Sequence, residues 1–337
     1  MTLPTLAAPD RARAGDIARR FSSARVLVVG DLMLDQFLIG RVSRISPEAP
    51  VPIVQFEREE NRIGGAANVA HNIAALGGQV DLVGLVGRDT AAAILARELA
   101  AQEIPTAGLV DDPSRPTTMK VRVVTDRHQQ VARVDYERDE EASADVEAAL
   151  VERAKSLASG AGAIVVSDYL KGAVTRRLVA SLVAVADEHG IPVLVDPKIP
   201  HLDYYGNATL VTPNNHEAEA ATHLRIRTNA DVSRAAAAFR ERAGCKGVLI
   251  TRGEQGMWLL ADGVEGALGA TAREVADVTG AGDTVIATLA LALAAGASTA
   301  EAAYLANVAA GIVVGKFGPA TASATELLAQ LSLSLGQ

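Results

Sequence analysis

The chain has 337 residues, enough for a large α/β domain with an appendage, and 49% of them are hydrophobic, so an extensive core is available. A charged fraction of 21% excludes general disorder, and a net charge of −8 leaves no basic footprint for nucleic acid or an anionic membrane. The one cysteine, Cys245, excludes an internal disulfide and a cysteine-based metal cluster, and fits a small buried residue in a reducing cytosol.

From the start of the chain, Met1 to Arg20 scatters Pro, Asp and Arg without a continuous apolar stretch, so no secretory leader is expected. Short β-branched runs follow: Arg25 to Gly30, Val80 to Gly87, Ala163 to Asp168, Pro192 to Asp196, Thr209 to Thr212 and Gly247 to Thr251. Continuous apolar runs of this length predict strands buried on both faces. Helical stretches lie between them at Ala66 to Leu76, Thr90 to Glu103, Ser143 to Ala158, Val174 to His189 and Asp231 to Ala243. The alternation predicts an α/β fold, a doubly wound and mostly parallel sheet flanked by helices. The longest apolar run, Val285 to Ala295, is too short to span a membrane and reads as a buried helix.

Two segments break the alternation. Phe37 to Glu60 holds three prolines and many charges, with a strand expected at Val51 to Glu57. Pro105 to Arg138 holds the half-polar runs MKVRVVT and VARVDY. Such alternation means one wet and one dry face. A small sheet inserted in two segments, 37–60 and 105–138, is therefore expected as a lid on a main domain of residues 1–36, 61–104 and 139–337. Its apolar face invites a second copy, so a homodimer through the lid is expected.

Ligands of open α/β sheets bind at the carboxyl ends of the strands. Those ends carry Gly30-Asp31, Ser167-Asp168, Asp196, Asn214 and Thr251. The most informative stretch, DVTGAGDT at 277–284, runs into the apolar helix. Gly280, Ala281 and Gly282 form a flexible turn at a helix start, where free N–H groups and the dipole favour an anion. Asp283 in the first turn is a candidate catalytic acid or base, and equally a partner of the helix dipole. Gly64-Gly65 lets a backbone approach a ligand before a helix on which Asn68 and Asn72 share a face, suited either to ligand hydroxyls or to solvent. Asp35 sits among apolar residues, where paired sugar hydroxyls would satisfy it. Asn214 and Glu217 in NNHE suit a hydrated Mg²⁺ or a helix N-cap. Thr251, Gly253 and Gly256 in TRGEQG suit phosphate contacts or an ordinary turn. GIVVGK at 311–316 falls one residue short of a P-loop, and no GxGxxG follows the first strand, which counts against a dehydrogenase.

These motifs, in this order, resemble the ribokinase-like (PfkB) carbohydrate kinases. Gly64, Gly65 and Asn68 match the family's GG-x-x-N. Asn214 and Glu217 match N-x-x-E, and Thr251, Gly253 and Gly256 match T-x-G-x-x-G. Asp277 with Gly280 to Asp283 matches D-x-x-GAGD, and Asp35 matches the acid after the first strand. VVGDLMLD, RISPEAPVP, SDYLKG and Asp196-Pro197-Lys198 are similar to the heptose 7-phosphate kinase branch of that family. The resemblance implies phosphorylation of a heptose 7-phosphate at its anomeric oxygen on the way to ADP-heptose, with ATP and Mg²⁺ and with a monovalent cation as a further candidate. Asp283 would be the base, and the GAGD N–H groups would hold the transferring phosphoryl group. Glu217 would order Mg²⁺ through water, and Asn307 would border the adenine. Asp35, Gly64, Gly65, Asn68, Asn72 and Asp196 would surround the sugar. Arg133, Lys171 and Lys198, backed by Lys120 and Arg122, are the candidates for its phosphate, Lys171 first because it follows a strand end. Many relatives carry a nucleotidyltransferase half, and a separate adenylyltransferase is expected here. Another sugar, sugar phosphate or nucleoside as acceptor, or a non-catalytic sugar sensor, remain alternatives.

Overall fold

The computed structural model describes residues 5–127, 129–261, 263–272, 275–316, 318 and 320–334. Residues 1–4 of the N-terminal stretch read above lie outside that range.

The helix α1 (Arg11–Arg19) leads into β1 (Arg25–Gly30), after which the chain leaves the main body along β2 (Leu32–Ile45) and returns along β3 (Pro52–Gly65). It continues through α2 (Ala66–Ala75), β4 (Gln79–Val86), α3 (Thr90–Ala101) and β5 (Leu109–Asp111), then makes the hairpin of β6 (Met119–Thr125) and β7 (Gln130–Tyr136). Next come α4 (Ala144–Ala158), β8 (Ala163–Ser167), α5 (Arg176–His189), β9 (Val193–Asp196) and β10 (Leu210–Val211). The last third comprises α6 (Asn215–Thr222), α7 (Asn229–Ala243), β11 (Val248–Thr251), β12 (Met257–Ala261), β13 (Val264–Leu268), α8 (Ala281–Ala294), α9 (Thr299–Val314) and α10 (Ala324–Ser334).

Nine strands form the main sheet in the order β13-β12-β11-β10-β9-β8-β1-β4-β5. All pair in parallel except β12 and β13, an antiparallel hairpin at one edge. The order reverses around β1, which lies between β8 and β4. That reversal opens a crevice at the carboxyl ends. Within β1, Val26 and Val28 pack on one helical layer, while Leu27 and Val29 pack on the other. Both faces of the sheet are therefore buried, which is why its strands read as unbroken apolar runs. The first layer draws on α1, α2, α3, α8, α9 and α10, the second on α4, α5, α6 and α7.

A second sheet has the order β3-β2-β6-β7. Its strands reach further toward the main body than the alternation suggests: β2 starts at Leu32 and β3 ends at Gly65, directly against α2. The segment 105–138 also divides differently from expectation. Leu109–Asp111 pairs in parallel with β4 and forms the edge of the main sheet. Three residues after a tight connection are too few to show a periodicity, so this edge strand is silent in the sequence. The edge hairpin β12–β13 was likewise absent from the expected strands.

Register gives the two faces of the small sheet different chemistry. Asp35 lies across from Lys120, which lies across from Asp135, and Phe37 aligns with Arg122 and Arg133. These side chains share one face. The neighbouring rows, with Val134 and Tyr136, share the other, and a bulge between Ile39 and Gly40 puts Phe56 there too. Phe56, Val134 and Tyr136 are all exposed.

At the reversal, β1 and β8 run so close that a Cβ on Gly30 would press into the Ser167 carbonyl oxygen. Replacing Gly30 with Ala is therefore expected to lower the unfolding free energy by about 1–3 kcal/mol, read from a denaturant titration; an unchanged midpoint would show that the two strands can part freely.

Candidate active site

The crevice gathers acids at the strand ends, and the fold must neutralise each of them. Asp31 follows β1 and is buried. Its carboxylate accepts the N–H groups of Tyr169 at 2.7 Å, Lys171 at 3.1 Å and Ala173 at 2.9 Å, which fixes the loop after β8. Asp168, also buried, accepts from Leu170 N–H at 2.8 Å and from the Tyr205 hydroxyl at 2.7 Å, and lies 2.7 Å from His201 Nδ1. Burial opposes a charge on His201, but the Asp168 carboxylate outweighs it and raises the imidazole above its usual value.

The loop held by Asp31 aims Tyr169 at the start of α8. Gly280 caps that helix with φ +78°, a left-handed conformation that favours glycine, and nothing stands within 4 Å of where a Gly282 side chain would be. The Ala281 N–H is already given to Val278 O at 3.2 Å. The N–H groups of Gly282 and Asp283 open the helix and have no acceptor one turn back. Asp283 itself is buried. Its Oδ1 accepts the Tyr169 hydroxyl at 2.8 Å, and its Oδ2 accepts Asn68 Nδ2 at 2.6 Å. Burial pushes this carboxyl above the ordinary range, Asn68, Tyr169 and Lys198 pull it back, and Asp35 pushes it up again. The group is a base held by two donors beside an open helix N-terminus, a geometry suited to taking a proton next to an anion.

Asn68 reaches Asp283 because Gly65, at φ +60°, turns β3 into α2 with the Asp31 carbonyl too close for any side chain. A Cβ on Gly64 would stand 2.6 Å from Asp35 Oδ2, so the glycine pair leaves room for that carboxylate. Across the crevice, Asn214 and Glu217 make a complete capping box at α6: Asn214 Oδ1 accepts Glu217 N–H at 3.0 Å, and Glu217 Oε2 accepts Asn214 N–H at 2.8 Å. The other Glu217 oxygen lies 3.3 Å from Lys198 Nζ. Thr251 pairs with Asn214 by a single parallel bridge, and Gly253 beyond it faces open space.

The chain matches the description "pfkB family carbohydrate kinase" over residues 23–326. It belongs to that family. Among curated proteins it is 48% identical over 312 residues to the D-beta-D-heptose 7-phosphate kinase of Bordetella bronchiseptica, covering 92% of this chain and 97% of that one. It is 44% identical to the bifunctional protein HldE of Geobacter sulfurreducens, over 97% of this chain and 67% of that protein. The chain thus spans about two thirds of the HldE relatives it matches. In fold it is similar to Arabidopsis thaliana ribokinase complexed with ribose and ATP, with a TM-score of 0.71 and 21% identity over 92% of this chain and 99% of that one. The fold is ribokinase-like, and the protein is an enzyme of the carbohydrate kinase class.

In this kinase several expected ligand residues have structural partners. Asn72 is buried; its amide donates to Asn68 O at 2.8 Å and accepts from Thr284 Oγ1 at 2.7 Å, which locks α2 to α8. It shares a helical face with Asn68, but that face turns into a helix–helix contact one turn further on. Asn307 is buried as well, and its Nδ2 donates to Gly269 O at 2.6 Å, tying α9 to the segment after β13. Gly256 is pressed against the Leu268 carbonyl of the edge hairpin, and its missing side chain answers that crowding. Every expected phosphate-binding cation already has a carboxylate partner. Lys171 Nζ lies 2.6 Å from Asp139 and 3.1 Å from Glu137, and Lys120 Nζ lies 3.0 Å from Glu137. Arg133 pairs with Asp135 at 2.9 Å, and Arg122 with Asp35. Sequence reasoning placed Asp31 and Asp168 at the strand ends without giving them a role, and it did not single out Tyr169 or His201. A cavity of about 770 Å³ opens at the other end of β1 and β4, by Arg25, His71 and Gln79, and includes none of these groups.

Asp196, at the end of β9, is pushed up to about 8, first by burial and then by Asp283, Glu217 and Asp168, with Lys198 opposing. The unfolded carboxyl titrates near 3.9. The folded state therefore keeps the proton more tightly, and its stability relative to the unfolded chain falls as pH rises from about 4 to about 8. Comparing melting curves of wild type and Asp196→Asn from pH 5.5 to 8.5, the variant should gain steadily on the wild type; a constant offset would contradict the shift.

Proposed function

We propose that this kinase transfers the γ-phosphoryl group of ATP to the anomeric hydroxyl of D-glycero-β-D-manno-heptose 7-phosphate, giving heptose 1,7-bisphosphate for ADP-heptose and lipopolysaccharide assembly in the cytoplasm. The observation that carries the acceptor is the near-full-length match to the Bordetella heptose 7-phosphate kinase. What supports the chemistry is Asp283, buried beside an open helix N-terminus and tied to Asn68 of the glycine-glycine helix.

Asp283 takes the proton from the attacking hydroxyl. The N–H groups of Gly282 and Asp283 and the α8 dipole stabilise charge on the transferring group, the main task in phosphoryl transfer. Thr251 and Gly253 border the nucleotide phosphates, and Asp35 with the Gly64-Gly65 turn borders the sugar. Glu217, with one oxygen on Asn214 and the other facing Lys198, suits a hydrated Mg²⁺ that it meets through water. Mg²⁺ bound with the nucleotide supplies charge neutralisation at its phosphates. The charged face of the small sheet brings Lys120, Arg122 and Arg133 toward the sugar's 7-phosphate, with Lys171 and Lys198 on the main body. Because each is paired with a carboxylate, the substrate phosphate enters by exchanging partners rather than by filling an unopposed positive patch. Closure of the small sheet excludes water from the reaction.

ADP release with ATP, Mg²⁺ and the heptose 7-phosphate, beside fructose 6-phosphate, ribose and adenosine, tests the acceptor. Turnover is expected with the heptose alone, and Asp283→Asn should lower it by about 10²–10⁴-fold. Turnover confined to another acceptor would discard the heptose and keep the base.

The exposed Phe56, Val134 and Tyr136 support a homodimer joined through the outward face of the small sheet. Light scattering should report a dimer for the wild type and a monomer for Phe56→Glu; a monomeric wild type would remove this interface.

A further inference from the structure

Tyr169 already occupies one oxygen of the candidate base. Its O–H donates to Asp283 Oδ1 at 2.8 Å, while Asn68 occupies Oδ2 at 2.6 Å. Both oxygens of the base are thus engaged before any sugar arrives. The position is fixed from behind: the Tyr169 N–H is held by the buried Asp31 carboxylate at 2.7 Å, and Arg115 anchors the same loop by donating to Lys171 O at 3.0 Å. The ring also lies 5.1 Å below the Lys198 ammonium. Burial of the hydroxyl and the facing Asp283 raise the phenol well above its usual value, so it keeps its proton and donates a hydrogen bond to the carboxylate.

We propose that Tyr169 is a positioning residue that stands in for the acceptor hydroxyl, occupying Asp283 Oδ1 in the sugar-free enzyme so that water cannot be activated there. The proposal rests on Asp283 being the base. In transfer, the sugar hydroxyl replaces the phenol at Oδ1 and its proton passes to Asp283. The sugar oxygen bonds to the γ-phosphorus as the bond to the β–γ bridging oxygen breaks, and ADP leaves with that electron pair. In the side reaction that Tyr169 blocks, water fills the same place, gives its proton to Asp283 and releases phosphate.

The test is Tyr169→Phe, which keeps the ring and its contact with Lys198. ATP hydrolysis is measured with ATP and Mg²⁺ alone, and transfer with the sugar phosphate identified in the acceptor assay added. Hydrolysis relative to transfer should rise about tenfold. The acid limb of the kcat/KM profile should move up by about one pH unit, because one donor to the charged carboxylate is gone. The other groups facing Asp283, namely Asn68, Lys198, Asp35 and Asp196, are unchanged in the variant. An unchanged ratio of hydrolysis to transfer, or a parallel loss of both, overturns the proposal. Asp283→Asn separates the two readings: if it still transfers phosphate the base itself is wrong and this inference falls with it, whereas an inactive Asp283→Asn beside an unaltered ratio in Tyr169→Phe overturns the role of Tyr169 alone.

Discussion

The arrangement of this site depends on one buried carboxylate. Asp31 stands at the end of β1, at the point where the sheet reverses direction, and it accepts three backbone N–H groups from the loop after β8. A carboxylate with that many donors is satisfied without a counter-ion, although burial and the nearby Asp168 still push its carboxyl upward. The loop crosses from one strand end to α5 without regular structure, and Arg115 on Lys171 O and Asp168 on Leu170 N–H complete its anchoring. Tyr169 is delivered to Asp283 by that loop, and the Lys171 main chain is fixed by it. The backbone carbonyl of Asp31 does a second job, accepting Ala66 N–H at 2.9 Å and so setting the start of α2, which carries Asn68. The two donors on Asp283 therefore come from two segments that meet at Asp31, one through its side chain and one through its main chain.

Much of this was legible in the sequence, for identifiable reasons. Strands buried on both faces cannot hide: Arg25–Gly30 was read to the residue, and Ala163–Ser167 and Val193–Asp196 to within one. The edge elements escaped because an edge strand needs little apolar surface. LVD at 109–111 is too short to show a pattern and VEGAL at 264–268 mixes polar and apolar residues, whereas MWLLA at 257–261 is a buried apolar run that was not assigned to a strand. At the site, the glycine and acid motifs marked Asp283, Asn68 and Asp35 because those residue types have few structural uses in an apolar setting. The same reasoning did not foresee that the amides of Asn72 and Asn307 satisfy buried backbone and hydroxyl groups at helix contacts. An amide that binds a sugar and an amide that bonds a neighbouring helix have the same composition and spacing. Only the direction of the helix face separates them. Tyr169 was passed over because a lone tyrosine in a loop has no signal until the loop's anchor is seen.

The acidic character of the chain shapes how it meets an anionic substrate. No cation on the charged face of the small sheet is unopposed: Lys120, Arg122 and Arg133 each face Asp35, Asp135 or Glu137. Partly buried pairs of this kind gain little net stability once the desolvation of both charges is counted. Their use lies elsewhere. A protein with a mean negative field that left several cations bare in one crevice would hold inorganic phosphate or free nucleotide there. With carboxylates in place, a phosphate must compete, and under the proposed placement of the sugar at Asp35 and the glycine turn it would do so best when the rest of the ligand is bound. Selectivity for a phosphorylated sugar over phosphate alone then follows from the added contacts and not from charge.

The same logic connects the two ends of the crevice. Lys198 lies between Asp196 and Glu217, stacks over Tyr169, and its charge pulls down the carboxyl of Asp283. Among the described residues it is a cation that faces the base, the expected metal-ordering acid and the residue capping the base. Binding of a negatively charged nucleotide near Glu217 would draw Lys198 toward phosphate and away from the acids. Their carboxyls would then rise further, and Asp283 would become a stronger base when donor phosphate is in place. An aliphatic ammonium on a flexible stem can shift its position over several ångströms at little cost, which a guanidinium held in a bidentate pair cannot do as readily. With the nucleotide placed as proposed, basicity at Asp283 and occupancy of the phosphate site would be coupled through one side chain. The coupling needs no domain motion, only a change of partners by an ammonium that already touches both halves of the crevice.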